Sequence, residues 1–241
     1  MAGDDTTPEG EQVNIYGNHV GSWNFAATAY LNRWKVKIYY EHYFDDHSQM
    51  FFQYGRWKDG HIGLEITFPK NRFIDTFVYE GLGTKDQTGP MLYDSFWGEF
   101  EEQISAKDNY YNHYLYQGWQ HWGMGIGNPL LPGPIYNKNG QITFISNRVL
   151  AHHIGFCGSP CQSLSYRMLL SYSRHWGTYD NPLNEIKKQF NSLFEVTYAP
   201  QQLKGWSFTV SGAMDRGNIL GNNYGGMLVI RKQGIIKSGN K

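Results

Sequence analysis

Charge is scarce in this chain: Asp, Glu, Lys and Arg make up only 17% of 241 residues, against an ordinary share of about 25%. The 21 basic and 21 acidic residues cancel, so no basic surface is available to hold a nucleic acid, and no nucleic-acid partner is expected. Cysteine is nearly absent. Cys157 and Cys161 frame the pentapeptide C-G-S-P-C, which is not metal-ligand spacing and has no second pair to complete a site. A bridge across a tight turn and two free thiols are both open readings. Apolar runs last only a few residues, so no helix is long and greasy enough to cross a membrane. The polar, acidic start, Met1 to Gly10, carries no apolar signal segment. G-x-S-x-G, H-E-x-x-H and a phosphate-binding loop are missing, and G-M-G-I-G at 123–127 lacks the βαβ setting of a dinucleotide site. No internal repeat points to a propeller or solenoid.

Aromatic residues and glycine are abundant, at 17% and 28 residues respectively. Little charge with many aromatics argues against disorder, and the pattern is that of β-strands. Trp34, Val36, Ile38 and Tyr40 alternate with Lys35, Lys37, Tyr39 and Glu41, and Ile62, Leu64, Ile66 and Phe68 alternate with His61, Gly63, Glu65 and Thr67. The same period runs through Leu164–Ser173, Phe194–Tyr198 and Trp206–Asp215. One row is apolar and the other carries charges and hydroxyls.

Two architectures share this pattern. A soluble sandwich or lipocalin-like barrel turns the apolar row inward. An outer-membrane barrel turns it to lipid and lines a wet lumen with the polar row. Segments of about 9–12 residues match a tilted strand crossing the hydrocarbon layer. Trp34, Tyr40, Tyr172 and Trp206 lie toward segment ends, where interfacial girdles sit. The reading adopted is therefore an all-β, antiparallel, up-and-down transmembrane β-barrel.

Short turns are expected at 32–33, 69–72, 157–161 and 199–205, and long connections at 45–60, 84–108, 128–141, 175–189 and 216–224. Strict alternation then demands a turn near Gly118 and gives eleven strands. They fall at about 22–31, 34–44, 60–69, 73–83, 109–116, 119–127, 142–156, 162–174, 191–199, 206–214 and 226–234. Residues 1–17 read as a polar segment, 18–236 as barrel and 237–241 as a tail. Bacterial single-chain barrels have even strand counts, so at least one further strand is expected before Ser22, in a larger barrel. Leu183, Ile186, Phe190 and Leu193 also recur at helical spacing, which allows a short loop helix over 183–193.

The long connections are rich in Trp, Tyr, His, Asn and Gly. Flat rings can stack on sugar C–H faces while the polar groups bond hydroxyls, although the same rings serve equally to pack loops on the rim. Catalysis is not expected. Glycoside hydrolysis needs two carboxylates across a scissile bond; Asp45 and Asp46 diverge on a strand end, and Asp94, Glu99, Glu101 and Glu102 read as a solvated loop. A lumen pair such as Glu41 with Glu65 is open, but lumen acids usually meet Lys or Arg. His152 and His153 are consecutive strand residues and point to opposite faces, so they do not form a metal pair. Asp45, Asp46 and His47 could take a cation, but no metal or cofactor is assigned.

The stretches N-H-V-G-S-W-N-F (18–25), Y-Y-E-H-Y-F-D-D-H-S-Q-M (39–50), D-N-Y-Y-N-H (108–113), G-W-Q-H-W-G-M-G-I-G-N-P-L-L (118–131), N-R-V-L-A-H-H (147–153), H-W-G-T-Y (175–179) and K-G-W-S-F-T (204–209) together resemble the capsule assembly Wzi family. The resemblance runs from about Asn18 to Arg231. It implies a non-enzymatic outer-membrane barrel, larger than eleven strands make and plugged by a helical element, that holds capsular polysaccharide at the cell surface. Its implied partners are capsular polysaccharide, outer-membrane lipid and the capsule export machinery. Loop position and motif match select His113, His121, Trp122, Asn128, His175, Trp176, Tyr179, Asp180, Asp215 and Arg216 as polysaccharide-binding candidates. A solute channel and a soluble glycan-binding β-sandwich are the alternatives.

Overall fold

The structure, a computed structural model, describes residues 21–44, 59–71, 73–87, 109–113 and 118–234. Nine long strands form one antiparallel sheet: β1 (Gly21–Leu31), β2 (Trp34–Phe44), β3 (Gly60–Thr67), β4 (Thr76–Gly83), β7 (Val149–Cys161), β8 (Leu164–Gly177), β9 (Pro182–Tyr198), β10 (Trp206–Gly217) and β11 (Asn223–Lys232). Each pairs with its sequence neighbour in the sheet, giving an up-and-down order from β1 to β11. Two stubs, β5 (Gln120–His121) and β6 (Met124–Gly125), pair only with each other. Apart from one 3-10 turn at Pro134–Tyr136, the described residues hold no helix. The sheet is not closed: among the described residues β1 and β11 are its two free edges.

Register carries the two alternating rows coherently across the sheet. Ala27 faces Ile38, Ile38 faces Leu64, Leu64 faces Tyr79 and Tyr79 faces Ile154. The opposite row runs Tyr39, Gly63, Glu80, His153, Ser171, Asn191, Asp215. The apolar face, here termed outer, is open. Ile38 (54%), Ile62 (55%) and Val210 (61%) are exposed, and no second layer of described residues covers them. Among the described residues, buried polar side chains, with His42, Asp59, Gln87, Asn147 and Gln189 among them, outnumber the buried apolar ones. This inverts the usual arrangement of a soluble domain.

The small apolar core lies at one end of the inner face, where Leu82, Val149 and Ala151 of the sheet meet Tyr111, Leu131 and Phe144. Those last three belong to the connection between β4 and β7. The expected strands at 109–116 and 119–127 are therefore corrected. Residues 109–113 are turn and coil, β5 and β6 span two residues each, and β4 pairs directly with β7. Alternating hydrophobicity in this segment serves packing onto the sheet rather than membership of it. The strand expected at 142–156 begins only at Val149.

Two further boundaries differ. The helix allowed over 183–193 is strand β9, which is 17 residues long. Ile186 and Phe190 are four apart, a spacing that keeps side chains on one face in a strand as well as in a helix. Because β8, β9 and β10 run further than expected, the long connections at 175–189 and 216–224 shrink to 178–181 and 218–222. The turn at Asn71 is held by its side chain, whose Oδ1 accepts from the Phe73 and Ile74 amides at 2.9 and 2.8 Å. Both cysteines are free thiols, and both lie in β7 ahead of the turn at 162–163.

Candidate functional site

The inner face supplies the floor of the site. Where the row from Tyr39 to Asp215 crosses the sheet, its members join in short hydrogen-bonded groups. The Tyr39 hydroxyl donates to Glu80 Oε1, and His61 Nε2 lies 3.5 Å from the same oxygen. On its other side His61 Nδ1 is 3.9 Å from Glu41 Oε2, while Ser22 Oγ donates to Glu41 Oε1 at 2.7 Å. His153 Nδ1 meets Ser171 Oγ at 2.7 Å, and Asn191 Nδ2 donates to Asp215 Oδ1 at 2.6 Å. Gly63 makes room for this: a Cβ there would sit 2.0 Å from the Tyr39 ring. Toward the other end of the same face, charges pair as Lys35–Glu65 (3.5 Å) and Arg167–Glu195 (3.3 Å). The inner-face glutamates Glu41, Glu65, Glu80 and Glu195 thus each meet His, Lys or Arg rather than one another.

The wall of the site is the connection between β4 and β7, pinned by side chains that stand in for backbone partners. Asp59, just ahead of β3, is buried and accepts from the amides of Asp86 (2.8 Å) and Gln87 and from the Tyr110 hydroxyl (2.9 Å). Burial outweighs these bonds and holds its carboxyl above the ordinary range. Asn112 exchanges two bonds with Phe144, donating to its carbonyl and accepting from its amide, each at 2.8 Å. Asn147 Nδ2 donates to the Tyr110 carbonyl at 2.8 Å. Tyr111 stacks on Trp119 with centroids 5.7 Å apart, and its hydroxyl accepts from the Asn128 amide at 3.0 Å. Gly127, at φ +96°, is required here because a Cβ would lie 2.5 Å from that hydroxyl.

Floor and wall border a half-open cavity of about 800 Å³. Its lining comes from seven neighbouring strands, β1 to β4 and β7 to β9, through residues such as Ser22, Glu41, His61, Glu80, His153, Ser171 and Asn191. Laid flat, seven strands about 4.8 Å apart would spread over roughly 30 Å. Sharing one cavity requires the sheet to curve round its polar face. The wall is aromatic and apolar, with Tyr110, Tyr111, Trp119, Pro129 and Leu130, and Tyr43 of β2 joins them from the floor. Hydrogen-bonding groups facing flat apolar surfaces suit a polyhydroxylated ligand, and the volume lies in the range of small-molecule sites, about 300–1,000 Å³.

The residues selected from the sequence do not gather into one site. Asn128 alone among them lines the cavity. His113 is half-buried beside the wall. His121 and Trp122 sit at the tip of the β5–β6 hairpin, where Trp122 is 85% exposed. Asp180 is exposed and accepts from Asn109 at 3.4 Å. Asp215 belongs to β10 on the inner face, bonded to Asn191, and Arg216 is exposed on the outer face. Trp176 and Tyr179 stack with cations at the end of β8 and just beyond it.

His175 requires correction. It is a strand residue, not a loop residue, and is buried with Nε2 2.9 Å from Ser173 Oγ and Nδ1 3.5 Å from Ser146 Oγ. Its parity on β8 sends it inward, beneath the packed connection. The acids at 45–46 and 94–102, and His47, lie outside the described residues. Opposite facing of His152 and His153 does hold: His152 stacks on Tyr79 outside, and His153 lines the cavity. The cavity floor was written in the polar rows of the sequence, but only the register shows which members stand side by side.

Comparison with known proteins adds no relative: no family model, curated protein or solved structure matches this chain.

Proposed function

We propose that this sheet is part of the wall of a transmembrane β-barrel in a bacterial outer membrane, and that the barrel binds capsular polysaccharide at the cell surface without catalysing a reaction. The observation that carries the membrane half is the inversion of polarity. An exposed apolar face, continuous across nine strands, is costly in water and is what lipid covers. The free edges of β1 and β11 are paired, in this reading, by further strands of the same barrel, since an unpaired edge has no place in lipid.

The glycan half rests on the cavity, with its aromatic wall and hydroxyl-, amide-, carboxylate- and imidazole-bearing floor. It agrees with the Wzi resemblance of the loops. Glu41 and Glu80 both engage His61, an arrangement suited to positioning a ligand rather than to flanking a scissile bond. The export machinery remains a partner of this reading through the resemblance alone.

The test is capsule retention in a capsulated host carrying Glu80→Gln or Asn128→Ala in the full-length protein, with outer-membrane level measured in parallel. Reduced cell-associated capsule and increased shed capsule at unchanged protein level is the expected result. Normal retention by both variants would remove the cavity from polysaccharide binding. Steady ion conductance of the purified protein in planar bilayers would favour a channel instead.

A further inference from the structure

At the end of the sheet where the β4–β7 connection packs, the outer face changes character from apolar to cationic. Arg174 belongs by parity to the outer row of β8, while Arg148, just before β7, and Lys85, two residues past β4, continue the outer rows of those strands. Lys188, the register partner of Arg174 on β9, stands directly opposite it on the same face. Arg216 follows on β10 opposite Phe190. Three of these cations are held on aromatic faces. Lys85 Nζ lies 4.8 Å and Arg174 Cζ 5.0 Å from the Trp176 ring centroid, and Arg148 Cζ lies 3.8 Å from that of Tyr179. Arg148 Nε also donates to the Lys85 carbonyl at 3.3 Å, which ties the two positions together.

Among the described residues, no acid pairs with this cluster. The ion pairs among them are Lys35–Glu65, His61 with Glu41 and Glu80, and Arg167–Glu195; none includes these five cations. Of the described acids near these positions, Asp180 takes Asn109 and Asp215 takes Asn191 on the inner face, and neither Asp86, beside Lys85, nor Glu185, three residues before Lys188, forms an ion pair with the five cations. Like charges directly opposite on neighbouring strands are destabilising, and Lys85 and Arg148 are half-buried as well. Cation–π contacts offset part of this but neutralise no charge. Just inside the row lie Leu150, Tyr172, Phe190 and Met214, on the apolar side of the change.

The geometry points to a binding site on the outer face, formed by Lys85, Arg148, Arg174 and Lys188 around Trp176, for the phosphate groups of an anionic glycolipid headgroup in the surrounding membrane. The inference rests on the membrane reading above. Arginine forks bond phosphate oxygens in pairs, lysine adds point charge, and the aromatic faces keep both splayed along the sheet rather than free in solvent. A headgroup phosphate approaching along the apolar band reaches the cations as its acyl chains cover the strands below.

The full chain, purified in a zwitterionic detergent, is titrated with diphosphoryl lipid A, with its dephosphorylated form and with inorganic phosphate, following tryptophan fluorescence and retained lipid by native mass spectrometry. Expected is saturable binding of the diphosphoryl lipid, and at least a tenfold weaker Kd in the pair Arg148→Gln/Arg174→Gln. The dephosphorylated lipid should bind at least tenfold more weakly to the unaltered protein. Circular dichroism and heat-modified migration verify that the variant is folded, and Lys188→Gln provides a milder second variant away from the half-buried positions. Equal affinity for both lipid forms, or an unchanged Kd in both variants, would overturn the site; binding of inorganic phosphate as tight as that of the lipid would overturn the lipid assignment. Flotation of the same samples with vesicles separates this failure from that of the membrane reading: a chain that floats but ignores the phosphate loses only this site, whereas a chain that stays in buffer loses both.

Discussion

Asp59 shows how one side chain decides where a long connection rests. Its carboxylate gathers two backbone amides and the Tyr110 hydroxyl, so the chain after β4 and the start of the wall are fixed to the foot of β3. Burial raises its pKa in the folded protein above the ordinary value. Between that value, about 4, and the raised one, the folded state binds more protons than the unfolded state. Docking is therefore strongest on the acid side and weakens as pH rises through the raised pKa. Hydrogen exchange at the Asp86 and Gln87 amides should accelerate over that interval beyond the intrinsic base catalysis of exchange, and Asp59→Asn should remove the excess. An excess that persists in the variant would assign the effect elsewhere. Nothing in the sequence marked Asp59, because its partners are 27 to 51 residues away.

Among the elements, the strands were legible wherever one row was apolar and the other was not. β1 and β2 fall within a residue of their expected bounds, 22–31 and 34–44. The stretch 109–127 failed for a physical reason: its apolar residues alternate well enough for a strand, but Tyr111 and Trp119 pack onto a sheet in which β4 already pairs directly with β7. The same stretch also separates two tryptophans that the sequence could not rank. Trp122 caps the small hairpin at 85% exposure, whereas Trp119 stacks on Tyr111 against the core. Trp122→Ala should leave unfolding in urea within experimental error. Trp119→Ala should destabilise the wall by about 1–3 kcal/mol, as expected for lost aromatic burial. Equal effects would mean that the hairpin tip is packed in solution. Of the candidate site, Asn128 was found by motif, while the floor of Glu41, His61, Glu80 and His153 was visible only as an unranked polar row.

For the molecule as a whole, the proposed membrane location turns on whether the outer face meets lipid, and two adjacent alanines in β1 test it at one depth. Ala27 faces Ile38 on the outer row, and Ala26 faces Tyr39 on the inner row. A lysine facing lipid near the membrane centre costs about 2–4 kcal/mol, whereas one facing a wet interior is tolerated. Ala27→Lys should impair insertion into vesicles, read by flotation and heat-modified migration, and Ala26→Lys should not. If both insert equally well, the outer face is not the lipid face.

Among the described residues one side of β1 and one side of β11 have no partner strand, and wherever the further strands proposed above are missing this has a consequence for anyone handling the protein. Each offers a row of peptide groups at fixed spacing, and such a row is a template for any extended chain that meets it. Prepared by itself in detergent, the chain has a neighbour of the right shape always to hand, namely another copy of itself. Its behaviour on a sizing column is then governed by concentration, and a short peptide reproducing the sequence of β1 or β11 would compete for the same seam.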